Sequence, residues 1–293
     1  MCNSASRAEA FPHCSIARSL AEADVRIVTG FIEPHFFAGF SGGPKGIMPG
    51  VAALETVMSN HGARHIGDPR AAFGITEGNP LWEEMRDIAL RVGASFLVNV
   101  ALNERREITG IFAGDLLAAH RAGIEFVRAS AMQKVDAPFD IVLTTNSGYP
   151  LDMNLYQAVK GMAAAARIVK DGGAIVLAAE CAEGVPGGSP HDRLLRSAAN
   201  GEELLARLAQ PGFIHAEQWQ SQIQALIQRR AEIHIHSTLP DETIRAAHLL
   251  PCRNIAALIA QKRAANPHAR IAVLPQGPLT IPYLAKVAHA APA

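Results

Sequence analysis

The chain has 293 residues, 49% hydrophobic and 18% charged, and its 27 basic and 27 acidic side chains cancel. That balance excludes whole-chain disorder and leaves no basic excess for nucleic acid or an anionic membrane, so the expected partner is a small molecule. No apolar run is long enough to span a bilayer and Met1 to Ser19 is polar, which reads as a cytoplasmic protein with room for one large or two ordinary domains. Cys2, Cys14, Cys181 and Cys252 lie far apart without metal-type spacing and read as free thiols.

Short apolar runs alternate with Ala-rich amphipathic stretches, which predicts an α/β protein. In chain order, Asp24 to Thr29 reads as a strand, Phe31 to Gly50 as a Gly- and Pro-rich loop, and Val51 to Asn60 as a helix. A second loop, His65 to Pro80, leads into a helix at Leu81 to Val92. Ser95 to Leu102 and Glu107 to Phe112 read as strands joined around Asn103, and Asp115 caps a helix to about Arg128. The pattern restarts near residue 130, the expected domain boundary. Asp140 to Thr145, Met153 to Lys170 and Ala174 to Ala179 make a parallel strand-helix-strand unit. A turn-rich loop, Glu183 to Pro190, precedes helices at Asp192 to Arg207 and Ala216 to Arg230 and a strand at Glu232 to His236. The apolar run Ile271 to Leu274 is expected to cross back to the first domain. The expected division is therefore 1–130, rejoined by 267–293, and 134–262.

The densest group of reactive side chains and permissive backbone is Glu33 to Gly50, EPHFFAGFSGGPKGIMPG. Its glycines at 39, 42, 43, 46 and 50 allow close ligand approach, and its prolines stiffen it. It is not a phosphate-binding P-loop, because Lys45 follows Pro44 and precedes Gly46, and no GxGxxG follows either candidate strand. What remains is His35, Lys45 ten residues later and His61 sixteen beyond that. Imidazole can act as base or metal ligand, and a lysine in a dry pocket can become a nucleophile. Spacing alone leaves two readings, a site and scattered surface histidines.

His234 and His236 share one face of a strand; with no third ligand nearby they read as a polar strand edge rather than a metal pair. In TNSGYPLDMNLYQAVKGM a strand end leads into a helix whose first turns carry Gln157 and Lys160 on one face. Such a pair can hold a carboxylate, one by charge and one by hydrogen bonding, and the alternative is a solvated helix face.

Together with Asn60-His61, DPR, EGNP, Asn99, Asn103, AGDLLAAHRAG, Trp219-Gln220 and LPQGPLTIP, these runs resemble the nickel-dependent lactate racemase family. The likeness is dense from Ala21 to Gly123 and looser beyond. It implies a nickel pincer nucleotide held covalently by Lys45 and ligated by His61. It further implies His35 as a catalytic histidine and Gln157 and Lys160 as substrate-binding residues. The implied reaction is racemisation or epimerisation of a 2-hydroxy acid by proton-coupled hydride transfer, with the cofactor-synthesis enzymes as partners.

The family carries a further region ahead of Ala21, with the second catalytic histidine and with aspartate and arginine contacts to the cofactor. The first twenty residues show no such motifs, and His13 has no counterpart. The expectation is an α/β chain of two domains, the first incomplete at its N-terminus, with the missing segment absent or supplied in trans. Two alternatives stand beside the racemase: an inactive or partial fragment, and a non-catalytic small-molecule or metal-binding protein.

Overall fold

A computed structural model describes residues 14–285, so Cys2 and His13 lie outside the described residues. The chain divides into two compact units, one running to Ser130 and including Leu208–Trp219, the other made of Ala131–Arg207 and the chain from Gln220 onward. Both are built of α and β elements, as expected.

In the first unit, strands β1 (Ile27–Phe31), β2 (Phe96–Leu102) and β3 (Ile108–Gly114) form a sheet in that order. β1 and β2 run parallel, with Ile27 opposite Phe96, and β2 and β3 form an antiparallel hairpin. The hairpin turn is made by Asn103, whose Oδ1 accepts from the Arg105 and Glu107 amides. Between β1 and β2 lie helices α1 (Leu54–Asn60) and α2 (Pro80–Val92), and α3 (Leu116–Ala131) follows β3. α2 has clear signals at both ends: Asn79 caps the Leu81 amide, Pro80 opens the first turn, and Gly93 closes the helix in the left-handed conformation. One sheet face is sealed where Val28, Leu97, Ile47, Ala89, Leu116 and Ala119 pack as a core.

The second unit holds a five-stranded, all-parallel sheet. Its strands are β5 (Phe139–Thr145), β6 (Val169–Ala178), β7 (Ala231–His236), β8 (Leu250–Pro251) and β9 (Ile271–Leu274), in the order β8-β7-β6-β5-β9. Beside it, β4 (Met132–Val135) pairs in parallel with β10 (Ile281–Leu284). The helices are α4 (Leu155–Ala166), α5 (Pro190–Arg196), α6 (Gly201–Leu208), α7 (Gln218–Gln228), α8 (Asp241–Ala246) and α9 (Ile255–Ala265).

Several expectations are corrected. The run Ile271–Leu274 does not return to the first unit: it pairs with β5, Ile271 opposite Ile141, and packs beside the core of Ile141, Val176 and Cys252. The helix expected to reach Lys170 ends at Ala166, because Val169 and Lys170 already belong to β6. The helix expected over Asp192 to Arg207 is two, broken at 197–200 before Gly201. The loop Phe31 to Gly50 contains an antiparallel ladder, Pro34–His35 with Gly39–Phe40, and a 3-10 turn at Gly43–Gly46.

Candidate active site

The Gly-rich segment of the first unit is held by buried polar side chains rather than by regular structure. The Asn99 amide oxygen accepts from the Gly43 N–H at 2.7 Å, and His120 Nε2 meets the Ser41 carbonyl at 2.9 Å. The Asn79 amide donates to the Phe37 carbonyl at 2.8 Å. Two glycines are obligatory here. Gly39 has φ +79° and a Cβ there would lie 2.3 Å from the Ile75 carbonyl; Gly43 has φ +54° and a Cβ there would enter the His120 ring at 2.4 Å.

This scaffold brings His35, Lys45 and His61 to one side chain, the buried ring of Phe37. The His35 ring meets it edge-on at 4.5 Å, the Lys45 ammonium lies 5.7 Å from its centroid, and the His61 ring stands edge-on at 5.1 Å. The second edge of His61 is met by Trp219, 4.9 Å away. His61 is 3% exposed; burial, and then the nearby Lys45 charge, push its pKa down to about 3, so the ring is neutral. Its Nδ1 is buried and has no hydrogen-bond partner among the described residues. The Ala38 N–H donates to His35 Nδ1 at 3.2 Å, which puts the proton of a neutral His35 on Nε2.

In the second unit, Gln157 and Lys160 lie three apart on α4. Asn154 caps that helix through the Gln157 N–H at 3.1 Å, and Gln157 Oε1 is buried without a partner among the described residues. The residue between cap and glutamine, Tyr156, has its carbonyl held by the Gln220 amide and its ring edge-on to His191. A separate open cavity of about 580 Å³ lies at the carboxyl ends of β5, β6, β7 and β9, with Thr145, Asp152, Glu180, His236 and Gln276 in its lining; neither Gln157 nor Lys160 belongs to it. His234 and His236 do not converge on a common atom: one meets Glu232 at 3.3 Å and the other the Cys252 carbonyl at 2.9 Å.

The lactate racemase C-terminal domain model matches residues 134–281, and the lactate racemase N-terminal domain model matches residues 7–74. The chain belongs to the lactate racemase family. The lactate racemase of Thermoanaerobacterium thermosaccharolyticum is 37% identical over 267 residues, 89% of this chain and 62% of that protein. That of Lactiplantibacillus plantarum is 37% identical over 269 residues, 90% of this chain and 63% of its own. The chain thus spans under two thirds of the length of these relatives. The structure of the Thermoanaerobacterium lactate racemase apoprotein superposes with a TM-score of 0.87 at 35% identity, covering 92% of this chain and 65% of that one. A Thermotoga maritima protein shares the fold alone, at 18% identity and a TM-score of 0.69. The N-terminal match begins at residue 7, so the likeness reaches into the stretch Met1 to Leu20, where the sequence shows no family motif by eye.

Sequence reasoning missed the aromatic walls and the supports of the candidate site. Phe37 is visible only as part of a Phe-Phe doublet that reads as core, and Trp219 lies far along the chain from the histidine it meets. Asn79, Asn99 and His120 stand in runs that carry the family likeness, but their supporting role is not legible there, since a buried polar side chain is recognised by its partners and not by its neighbours in sequence.

Proposed function

We propose that this lactate racemase family chain serves the racemisation or epimerisation of a 2-hydroxy acid of the lactate class, with a nickel pincer nucleotide as cofactor. The observation that carries this is the meeting of Lys45, His35 and His61 on Phe37. The side chains fit the group. Lys45 offers an amine on a rigid turn for covalent attachment, and His61 offers a neutral imidazole whose Nδ1 lacks a partner. Nickel takes imidazole beside sulfur, so a single protein imidazole would suit a sulfur-bearing cofactor.

When bound, the cofactor supplies a reversible acceptor for the hydride at C2. The protein's part is positioning and proton movement. With its Nδ1 engaged by Ala38, His35 donates from Nε2 to the oxygen on C2; to accept a proton there the ring must shift its own proton to Nδ1 and release Ala38. Lys160 and Gln157 on α4 hold the acid's carboxylate or the carbonyl oxygen of its 2-oxo form, the lysine by charge and the glutamine by hydrogen bonding. The cofactor-synthesis enzymes are the partners this function requires, and the cytoplasm is its setting. Among the described residues no helix is long and apolar enough to cross a membrane.

One observation favours a second reading, in which the chain holds the cofactor without turning over by itself. Inversion needs a proton acceptor on each face of the substrate. Among the described residues the histidine rings that meet Phe37 are those of His35 and His61, and with His61 proposed as the nickel ligand His35 alone is left there to move a proton.

The test is to produce the chain together with the cofactor-synthesis enzymes and measure intact mass, nickel content and the interconversion of D- and L-lactate. An adduct with racemisation supports the first reading, and an adduct without it the second. Lys45→Ala is expected to abolish the mass shift with an unchanged circular dichroism spectrum. A wild-type chain with neither adduct nor nickel sinks both and leaves the non-catalytic binding protein.

A further inference from the structure

The open cavity of the second unit lies where the parallel sheet changes direction, and no residue given a role in the reaction lines it. β5, β6, β7 and β8 step one way across the sheet, and β9 then returns to the far side of β5, so the loops that leave β5 and β9 part from each other. Diverging loops at the carboxyl ends of parallel strands are where α/β sheets place small ligands. Thr145 fixes this mouth. Its hydroxyl donates to the Pro275 carbonyl at 2.6 Å and accepts from the Ser147 N–H at 3.0 Å, tying one loop to the other. A volume of about 580 Å³ falls within the range of small-molecule sites, roughly 300–1,000 Å³.

The side-chain groups in this lining that stand ready for a ligand are acceptors. Asp152 is 8% exposed; its Oδ2 accepts from the Glu180 N–H at 3.1 Å, while Oδ1 is buried with no partner among the described residues. Glu180 adds a second, exposed carboxylate. His236 donates from Nδ1 to the Cys252 carbonyl at 2.9 Å, which leaves Nε2 of the neutral ring as an acceptor. Among the described residues that line the cavity there is no Lys or Arg. Arg253 reaches the Ser237 carbonyl from outside the lining, and its charge is paired with Asp241. The negative field is felt by a neighbour: the Cys181 thiol is pushed up to about 12, by burial first and then by the charges of Asp152 and Glu180.

We propose that this cavity binds a small organic cation bearing a primary ammonium or guanidinium group, seated between the Asp152 and Glu180 carboxylates with its body against Ala178, Ala179 and Pro275. Ammonium and guanidinium groups carry donors only, and so match a cavity whose ready groups are acceptors. A buried carboxylate oxygen without a donor is costly, and a charged donor relieves that cost. The same charges turn away a 2-hydroxy acid, because an anion would meet two carboxylates and no Lys or Arg. The site therefore lies outside the racemase reading and stands or falls without it.

Calorimetric titration of the full chain with agmatine, which carries an amine at one end and a guanidinium at the other, tests this site. Saturable one-to-one binding is expected, with slowed amide exchange in residues 145–152, 178–181 and 236–238. Asp152→Asn keeps an oxygen for the Glu180 N–H while removing the charge, and Glu180→Gln changes an exposed side chain. Both should keep the wild-type melting temperature and weaken agmatine binding about tenfold or more. Asp171→Asn removes an 83% exposed carboxylate near the opposite end of β6 and should leave binding unchanged. Absence of binding overturns the proposal, as does binding weakened equally by Asp171→Asn, which would show attraction by bulk charge alone. Ribose or calcium chloride bound more tightly than agmatine, and lost with Asp152→Asn and Glu180→Gln, overturns it in favour of a neutral diol or a metal ion.

Discussion

Phe37 carries no chemistry, yet three side chains that have some are set by their distance from it. Its ring presents a low-dielectric wall against which a positive amine and a neutral imidazole sit close together, and that proximity helps to depress the basicity of His61. If His61 is the nickel ligand, His61→Ala should lower nickel content at least tenfold while the Lys45 mass adduct persists; equal nickel in both proteins would remove it from that role. Gly43→Ala tests the scaffold instead. A methyl group there meets the His120 ring at 2.4 Å and forces a left-handed φ on alanine, so a loss of about 1–3 kcal/mol in urea unfolding is expected, with reduced adduct yield on Lys45. An unchanged urea midpoint would mean that the loop relaxes freely.

Among the elements, α4 ties local sequence most directly to a proposed role. Asn154 caps it and thereby fixes the first turn that bears Gln157 and Lys160. Asn154→Ala should destabilise the fold by about 1 kcal/mol and Asn154→Asp should largely restore it, read by thermal melting. An alanine variant as stable as wild type would show that packing alone holds the turn. α2 was legible almost to the residue, because Pro80 and Gly93 mark it locally. The break between α5 and α6 has a local mark that the expectation of one helix passes over: Asn200 caps α6 by accepting from the Glu203 N–H, and the Glu203 carboxylate accepts from the Ala199 N–H. Residues 237–270 hold α8, β8 and α9, the middle one only two residues long and defined by its pairing with β7 rather than by any local pattern.

At the scale of the molecule, stability should fall on mild acidification. Burial lowers the His191 pKa from 6.5 to about 4 and also lowers that of His120. Between about pH 4 and 6.5 the unfolded chain therefore binds a proton at His191 that the folded chain refuses, and stability declines as pH falls through that window. The decline is about 1.4 kcal/mol per pH unit for each such histidine at the steepest part. Depressed carboxylates such as Asp140 contribute their loss lower, as pH falls through and below their ordinary value of 3.8. Urea midpoints at pH 7.5, 6 and 5 measure the slope, and His191→Gln should make it shallower while His61 and His120, also depressed by burial, keep part of it; a slope unchanged by the substitution would mean that His191 is not buried neutral.

The sequence by itself determined the α/β character, the parallel unit around β5 and β6, and the loop in which the reactive residues of the first unit sit. Each of these is written in periodicity, caps and glycines a few residues apart, where local conformational preference and side-chain spacing act. Tertiary structure alone decided that His35, Lys45 and His61 meet on Phe37, that Trp219 closes on His61, and that Ile271–Leu274 pairs with β5 rather than returning to the first unit. An apolar run such as IAVL can be buried in either sheet with the same loss of water contact, so its partner is chosen by register, neighbouring side chains and the path of the chain before it.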